Sequence, residues 1–297
     1  MRISQFKNAR AEDRFRAAYE RALAELWPTE RIALDLPTAF GTTRVYRAGP
    51  PGGEPIVLLP GSGGNALMWH RYIEALTRHR PVYAVDTVGE PGASVQTAPI
   101  ADGRDGAAWL DELLAALELP AAHLVGCSYG GWLAFSHHLH HPGRAASLTL
   151  VDPAGLADYG LRFYAWLIAG GLASAAPRPL RPGLARLVGN SAILESELMR
   201  LMRASVGFRR ALPAPPVFSD EELRRLTVPA LFLLGGRSAM HDSREVAARL
   251  AALVPSARVE IVPDAGHALP TDQPALVADR ILHGHPSANR LTDRPPR

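Results

Sequence analysis

The chain has 297 residues, 47% of them hydrophobic and 21% charged, with a formal net charge of +3. That composition belongs to a globular protein able to build a core of ordinary size. Arginine supplies nearly all the cations, Lys7 being the only lysine, and the arginines are scattered, which argues against a nucleic-acid binder.

Met1 to Arg10 carries charges but no apolar h-region, so it does not read as a secretory signal. From about Glu12 to Trp27, apolar residues recur at helical spacing (Phe15, Ala18, Tyr19, Ala22, Leu23, Leu26) and stop at Pro28. Ile32–Leu36 and Thr42–Arg47 flank a turn with Gly41 and predict an antiparallel hairpin.

From Ile56 short apolar runs alternate with helical stretches. The runs are Ile56–Leu59, Val82–Val85, His123–Val125, Leu148–Val151, Ala230–Leu234 and Val259–Val262. The helices are expected near Asn65–His79, Gly106–Leu117, Tyr129–His141, Ser243–Val254 and Gln273–Leu282. Continuous apolar strands alternating with helices predict a mostly parallel sheet covered on both faces. Between Asp152 and Leu226 there is no good strand, only apolar helical stretches broken by prolines. This reads as a helical cap over the sheet's C-terminal edge, where open α/β sheets bind their ligands. Its longest apolar stretch, Phe163 to Ala176, is shorter than the roughly 20 residues that span a bilayer, so no membrane partner is expected.

Three motifs carry chemistry. Gly126-Cys127-Ser128-Tyr129-Gly130 lies between a buried-type strand and a helix, a turn that lifts Ser128 clear of the sheet as a nucleophile. Asp264-Ala265-Gly266-His267 follows another strand, so His267 reaches the same sheet edge and can take and return the Ser128 proton. Pro60-Gly61-Ser62-Gly63-Gly64 follows the strand Ile56–Leu59; it lacks the ending of a phosphate-binding P-loop and instead suits an oxyanion hole. The donors assigned to that hole are the backbone N–H groups of Ser62 and Tyr129. Cys127, the one cysteine, excludes an intrachain disulfide and a cysteine-based zinc site, fits a reducing, cytoplasmic setting, and is expected to face the core. His137, His138, His140 and His141 have no acidic residue among them and read as a solvated helix end rather than a metal site.

With these stretches, and with Val82-Tyr83-Ala84-Val85-Asp86-Thr87-Val88-Gly89, the chain resembles the α/β-hydrolase superfamily, and within it bacterial carboxylesterases of the naproxen-esterase kind. The resemblance runs from Val57 to Pro153 and from Phe218 to Leu282. It implies an α/β-hydrolase fold: a core over 31–152 and 227–283, a helical cap over 153–226, an N-terminal helical extension over 1–30, and a disordered tail over 284–297. It also implies ester cleavage through an acyl-Ser128 intermediate with no cofactor and no metal.

Two positions depart from the family pattern. Pro60 replaces a usual histidine, and Ser238 stands where the family keeps its triad acid. Asp152, one strand earlier at the same edge, is the favoured substitute, with Asp242 as the alternative acid; Asp242-Ser243-Arg244-Glu245 also has capping-box form. A Ser–His dyad stays open. Trp69, Phe163 and Trp166 are the expected substrate contacts, the substrate being a small, fairly apolar ester. The competing functions are an acyltransferase, lactonase or C–C-cleaving enzyme using the same residues, and a ligand-binding protein with a degenerate triad.

Overall fold

The computed structural model describes residues 2–284. The strands are β1 (Gln5–Phe6), β2 (Ile32–Thr38), β3 (Gly41–Ala48), β4 (Ile56–Leu59), β5 (Val82–Val85), β6 (Val95–Gln96), β7 (Ala122–Cys127), β8 (Ala145–Val151), β9 (Phe208–Arg209), β10 (Ala230–Gly235) and β11 (Arg258–Val262). The helices are α1 (Ala9–Leu26), α2 (Ile73–Thr77), α3 (Gly103–Ala116), α4 (Tyr129–His140), α5 (Leu161–Ala175), α6 (Arg181–Val188), α7 (Ser196–Ser205), α8 (Asp220–Arg224), α9 (Ser243–Leu253), α10 (Leu269–Asp272) and α11 (Pro274–His283).

The main sheet runs β11-β10-β8-β7-β4-β5-β3-β2, with β6 pairing β3. The six strands from β11 to β5 are parallel, and β3, β2 and β6 add antiparallel partners. Burial explains the sequence pattern: every residue of β4, β5, β7 and β10 is buried. These four lie under helices on both faces, so they carry no polar alternation, unlike the edge strand β11 with Arg258 and Glu260. Two apolar layers result. One packs Trp109, Trp132 and Phe135 on one face of the sheet; the other packs Phe15, Trp27 and Trp69 on the opposite face. A fully buried Leu in either layer contributes about 1.5–3 kcal/mol relative to exposure.

The chain leaves β4 toward β5 on one side and returns to β7 on the other. The loops after β4 and β7 therefore meet at the C-terminal edge where the winding reverses, which is where such sheets make their crevice. Gly126 of β7 stands opposite Leu59 of β4.

Three expectations are corrected. The stretch Asn65–His79 is not one helix: a 3-10 turn at Ala66–Trp69 precedes the short α2. The interval 153–226 does hold a strand, β9, which pairs antiparallel with β1. The arm before α1 thereby reaches the end of the inserted helices, and α1 packs along α7, with Arg21 3.2 Å from Glu197. Gly284 closes α11 with an N–H bond to Arg280 and is buried; the rest of the tail expected to be disordered lies outside the described residues.

Candidate active site

Ser128 occupies the turn between β7 and α4 with φ 49° and ψ −115°. A positive φ is costly for a residue with a Cβ, so the surroundings must hold it. Its N–H donates to the Val151 carbonyl at 3.1 Å, and its own carbonyl accepts from Trp132 and Ala154, each at 3.1 Å. The two flanking glycines are required by contact: a Cβ on Gly126 would come within 2.3 Å of the Gly130 carbonyl oxygen, and one on Gly130 within 2.3 Å of the Leu59 carbonyl oxygen. Tyr129 is the first residue of α4, so its N–H has no acceptor within the helix. Gly61, next to Ser62, packs against the Ser128 side chain. Ser62 lines the same cavity as Ser128.

Of the two candidate carboxylates, Asp152 is the one that meets His267. It follows β8 with φ 42° and is wholly buried. Its Oδ2 lies 2.7 Å from His267 Nδ1 and accepts from the Ser238 hydroxyl, also at 2.7 Å. Its Oδ1 accepts from the Gly235 N–H at 2.9 Å and has His241 Nε2 3.3 Å away, off line for a directed hydrogen bond. Burial opposes ionisation of Asp152, but the His241 and His267 imidazoles outweigh it and hold the carboxyl well below the usual range. Asp242, by contrast, is exposed and caps α9, accepting from the N–H groups of Arg244 and Glu245 at 2.9 and 3.2 Å. Ser238, at the position where the resemblance leads one to expect an acid, is a hydroxyl donor toward Asp152.

Ser128 and His267 line one cavity of about 520 Å³. Its wall is mostly apolar, with Phe163, Trp166, Leu167, Met199 and Met202 among its residues. The ring centres of Phe163 and Trp166 lie 6.0 and 5.4 Å from that of His267, with the ring planes nearly perpendicular. Among the described residues Ser128 Oγ has its polar contact with Met240 Sδ, at 4.0 Å. A nucleophile–base hydrogen bond is often long until substrate tightens it.

Several expectations fail on position. Trp69 is fully buried against Tyr72, with ring centres 5.2 Å apart, and belongs to the core rather than the cavity wall. Its 3-10 turn directs the ring under the sheet, which spacing alone did not reveal. His137 and His138 are buried, not solvated: His137 Nε2 lies 3.3 Å from Asp111, and burial pushes the His137 pKa down to about 4. No group of metal-ligating side chains occurs among the described residues. Cys127 faces inward as expected, and burial, then the Asp152 charge, pushes its thiol pKa far up.

Two functional neighbours escaped the motif reading. Glu90 is 1% exposed and accepts from the Gly63 N–H at 2.8 Å and from Arg210 at 2.7 Å. The Arg210 guanidinium in turn lies over the Tyr129 ring, 4.7 Å from its centre. Burial pushes the Glu90 carboxyl above its ordinary range, against the pull of Arg210. His241 is the other neighbour, packed behind Asp152. Neither lies in a recognisable motif; a glutamate two residues before a glycine turn carried no signal.

A parallel-stranded sheet with this turn and this Asp–His contact defines a class of hydrolase. The chain belongs to the alpha/beta hydrolase family, whose model matches residues 56–280. It is 31% identical over 286 residues to the carboxylesterase YbfK of Bacillus subtilis, covering 94% of this chain and 95% of that one. The solved structure of that carboxylesterase has a TM-score of 0.81 at 30% identity, covering 92% of this chain and 98% of the other. The naproxen esterase of Bacillus subtilis gives a TM-score of 0.81 at 28% identity, covering 93% of this chain and 98% of the other. The protein is a carboxylesterase-like hydrolase. No described helix is long and apolar enough to cross a membrane.

Proposed function

We propose that the protein cleaves small, fairly apolar carboxylic esters through an acyl-Ser128 intermediate. The observation that carries this reading is the 2.7 Å contact between Asp152 and Nδ1 of His267, whose ring lines the same cavity as Ser128. In the reading, Ser128 Oγ attacks the ester carbonyl carbon while His267 Nε2 takes its proton. Asp152 holds the ring in the tautomer with Nδ1 protonated and offsets the imidazolium charge. The N–H groups of Ser62 and Tyr129 receive the oxyanion, Tyr129 with the added favour of the α4 N-terminus. His267 then protonates the leaving alcohol, and water repeats the sequence on the acyl-enzyme. The apolar lining favours an apolar acyl or alkoxy group.

Ser128→Ala should lower kcat on a p-nitrophenyl ester on the order of 10⁶-fold and abolish labelling by a fluorophosphonate probe. Retention of more than a few per cent of wild-type activity would remove Ser128 from the role. The reading of a ligand-binding protein with a degenerate triad rested on Ser238, and the hydroxyl donation of Ser238 to Asp152 takes that support away.

A further inference from the structure

α5 is apolar on two faces. Phe163, Trp166, Gly170 and Ser174 turn toward the cavity. On the outer face Leu161 is 88% exposed, Tyr164 52%, Ile168 65% and Leu172 70%. The spacing of these four, three or four positions apart, makes one stripe along the helix. α6, packed against α5 through Ala173, Ala185 and Ile193, belongs to the same segment and exposes Leu187 at 82%. A helix that is apolar all round is normally buried, and soluble monomers rarely expose contiguous apolar surface of this kind.

The charges within this segment have one sign, with Asp158 and Glu195 just outside it. Residues 159–194 contain four arginines and no aspartate or glutamate. Arg162 and Arg181 donate to backbone carbonyls. Arg178 and Arg186 are exposed and have no acidic partner among the described residues. Apolar side chains flanked by unpaired arginines match a lipid surface bearing phosphate headgroups: the side chains enter the acyl boundary and the guanidinium groups pair with the phosphates. A second copy fits less well, because a two-fold contact sets each arginine-rich face against its own like charge.

We propose that α5 and α6 dock the protein, reversibly and in the plane of the surface, on anionic lipid. The sequence excluded a membrane partner because no stretch spans a bilayer, but a helix lying in the interface needs no such length. Leu167 and Met202, 47% and 41% exposed, line both the outer surface and the Ser128 cavity, so apolar surface runs continuously from one to the other. Docking does not depend on the esterase reading, and its test uses no turnover.

The full chain should co-sediment with vesicles containing phosphatidylglycerol, and less with phosphatidylcholine alone, the difference shrinking as salt rises. Ile168→Ser with Leu172→Ser should weaken binding at least about tenfold, because two aliphatic side chains leave the interface. Arg178→Glu with Arg186→Glu should cost roughly fivefold per arginine on the anionic vesicles and little on the neutral ones. Thermal unfolding of each variant reports that it is folded; should the aliphatic pair fail to fold, the arginine pair decides alone. Equal or absent sedimentation with both vesicle types overturns the proposal. So does a dimer, seen by light scattering, that Ile168→Ser with Leu172→Ser dissociates, since the face then belongs to a second copy.

Discussion

Three donors and a further imidazole converge on the Asp152 carboxylate, which leaves little freedom in how it presents Oδ2 to His267. If Asp152 orients His267, Asp152→Asn should lower kcat by as much as roughly 10⁴-fold, because the amide favours the wrong tautomer. Asp242→Asn should change kcat little, since asparagine caps a helix about as well. Steady-state kinetics on a short p-nitrophenyl ester separate the two, and the reverse pattern would move the role to Asp242. Ser238→Asp should reduce activity rather than improve it. It would set a second carboxylate against Oδ2, where a hydroxyl proton now lies, and two like charges in one buried site cannot both ionise. Ser128 and His267 were readable because their neighbours mark them; Gly126 and Gly130 are there to avoid a clash. Asp152 was readable only as one of two carboxylates. Which of them meets His267 depends on the irregular loop after β10, whose path no periodicity reports.

At the scale of the element, the loop after β4 is held by a side chain from elsewhere in the chain. Glu90 fixes the Gly63 N–H on one side and Arg210 on the other. Glu90→Gln leaves Arg210 without its charge partner, and should lower the unfolding free energy by about 1–3 kcal/mol in urea titrations. Through the Ser62 N–H it should lower kcat more than it raises KM. An unchanged kcat would detach Glu90 from the reaction. α4 shows the opposite failing of sequence reading. Its run of histidines looked like a solvated end because histidine is polar, yet His137 and His138 pack into the interior. Burial is the larger influence on His137, with Asp111 and His141 facing it, and its pKa falls from 6.5 to about 4. The unfolded chain therefore takes up this proton first. Stability is complete above about pH 6.5 and is lost as pH falls toward 4, by up to roughly 3 kcal/mol from this group. His137→Gln should flatten the fall of the urea midpoint over that interval; an unchanged slope would assign it to other groups.

Over the whole molecule, the parallel strands were legible because burial on both faces leaves β4, β5 and β10 wholly apolar and β7 and β8 largely so, and the observed bounds of the six differ from the expected ones by at most three residues. The ties between distant segments were not legible. β1 and β9 have two residues each, too short for any pattern to show. Asp86 shows the same limit: it accepts from the Tyr19 hydroxyl at 2.8 Å and from the N–H groups of Ala66 and Ala93, joining α1 to two loops at one buried carboxylate.

The pairing of β1 with β9 also bears on the order in which the chain can assemble. Ser4 accepts from the Ala211 N–H, 207 positions along the chain, and Lys7 donates to Gly207. During synthesis from the N-terminus, the leading arm must wait unpaired until these partners have emerged. Contacts of such long sequence separation form late and slow a folding reaction. A bulky tag fused ahead of Ser4 would therefore burden the last closing step, and would be felt at α7 and its wall of the cavity rather than at the sheet.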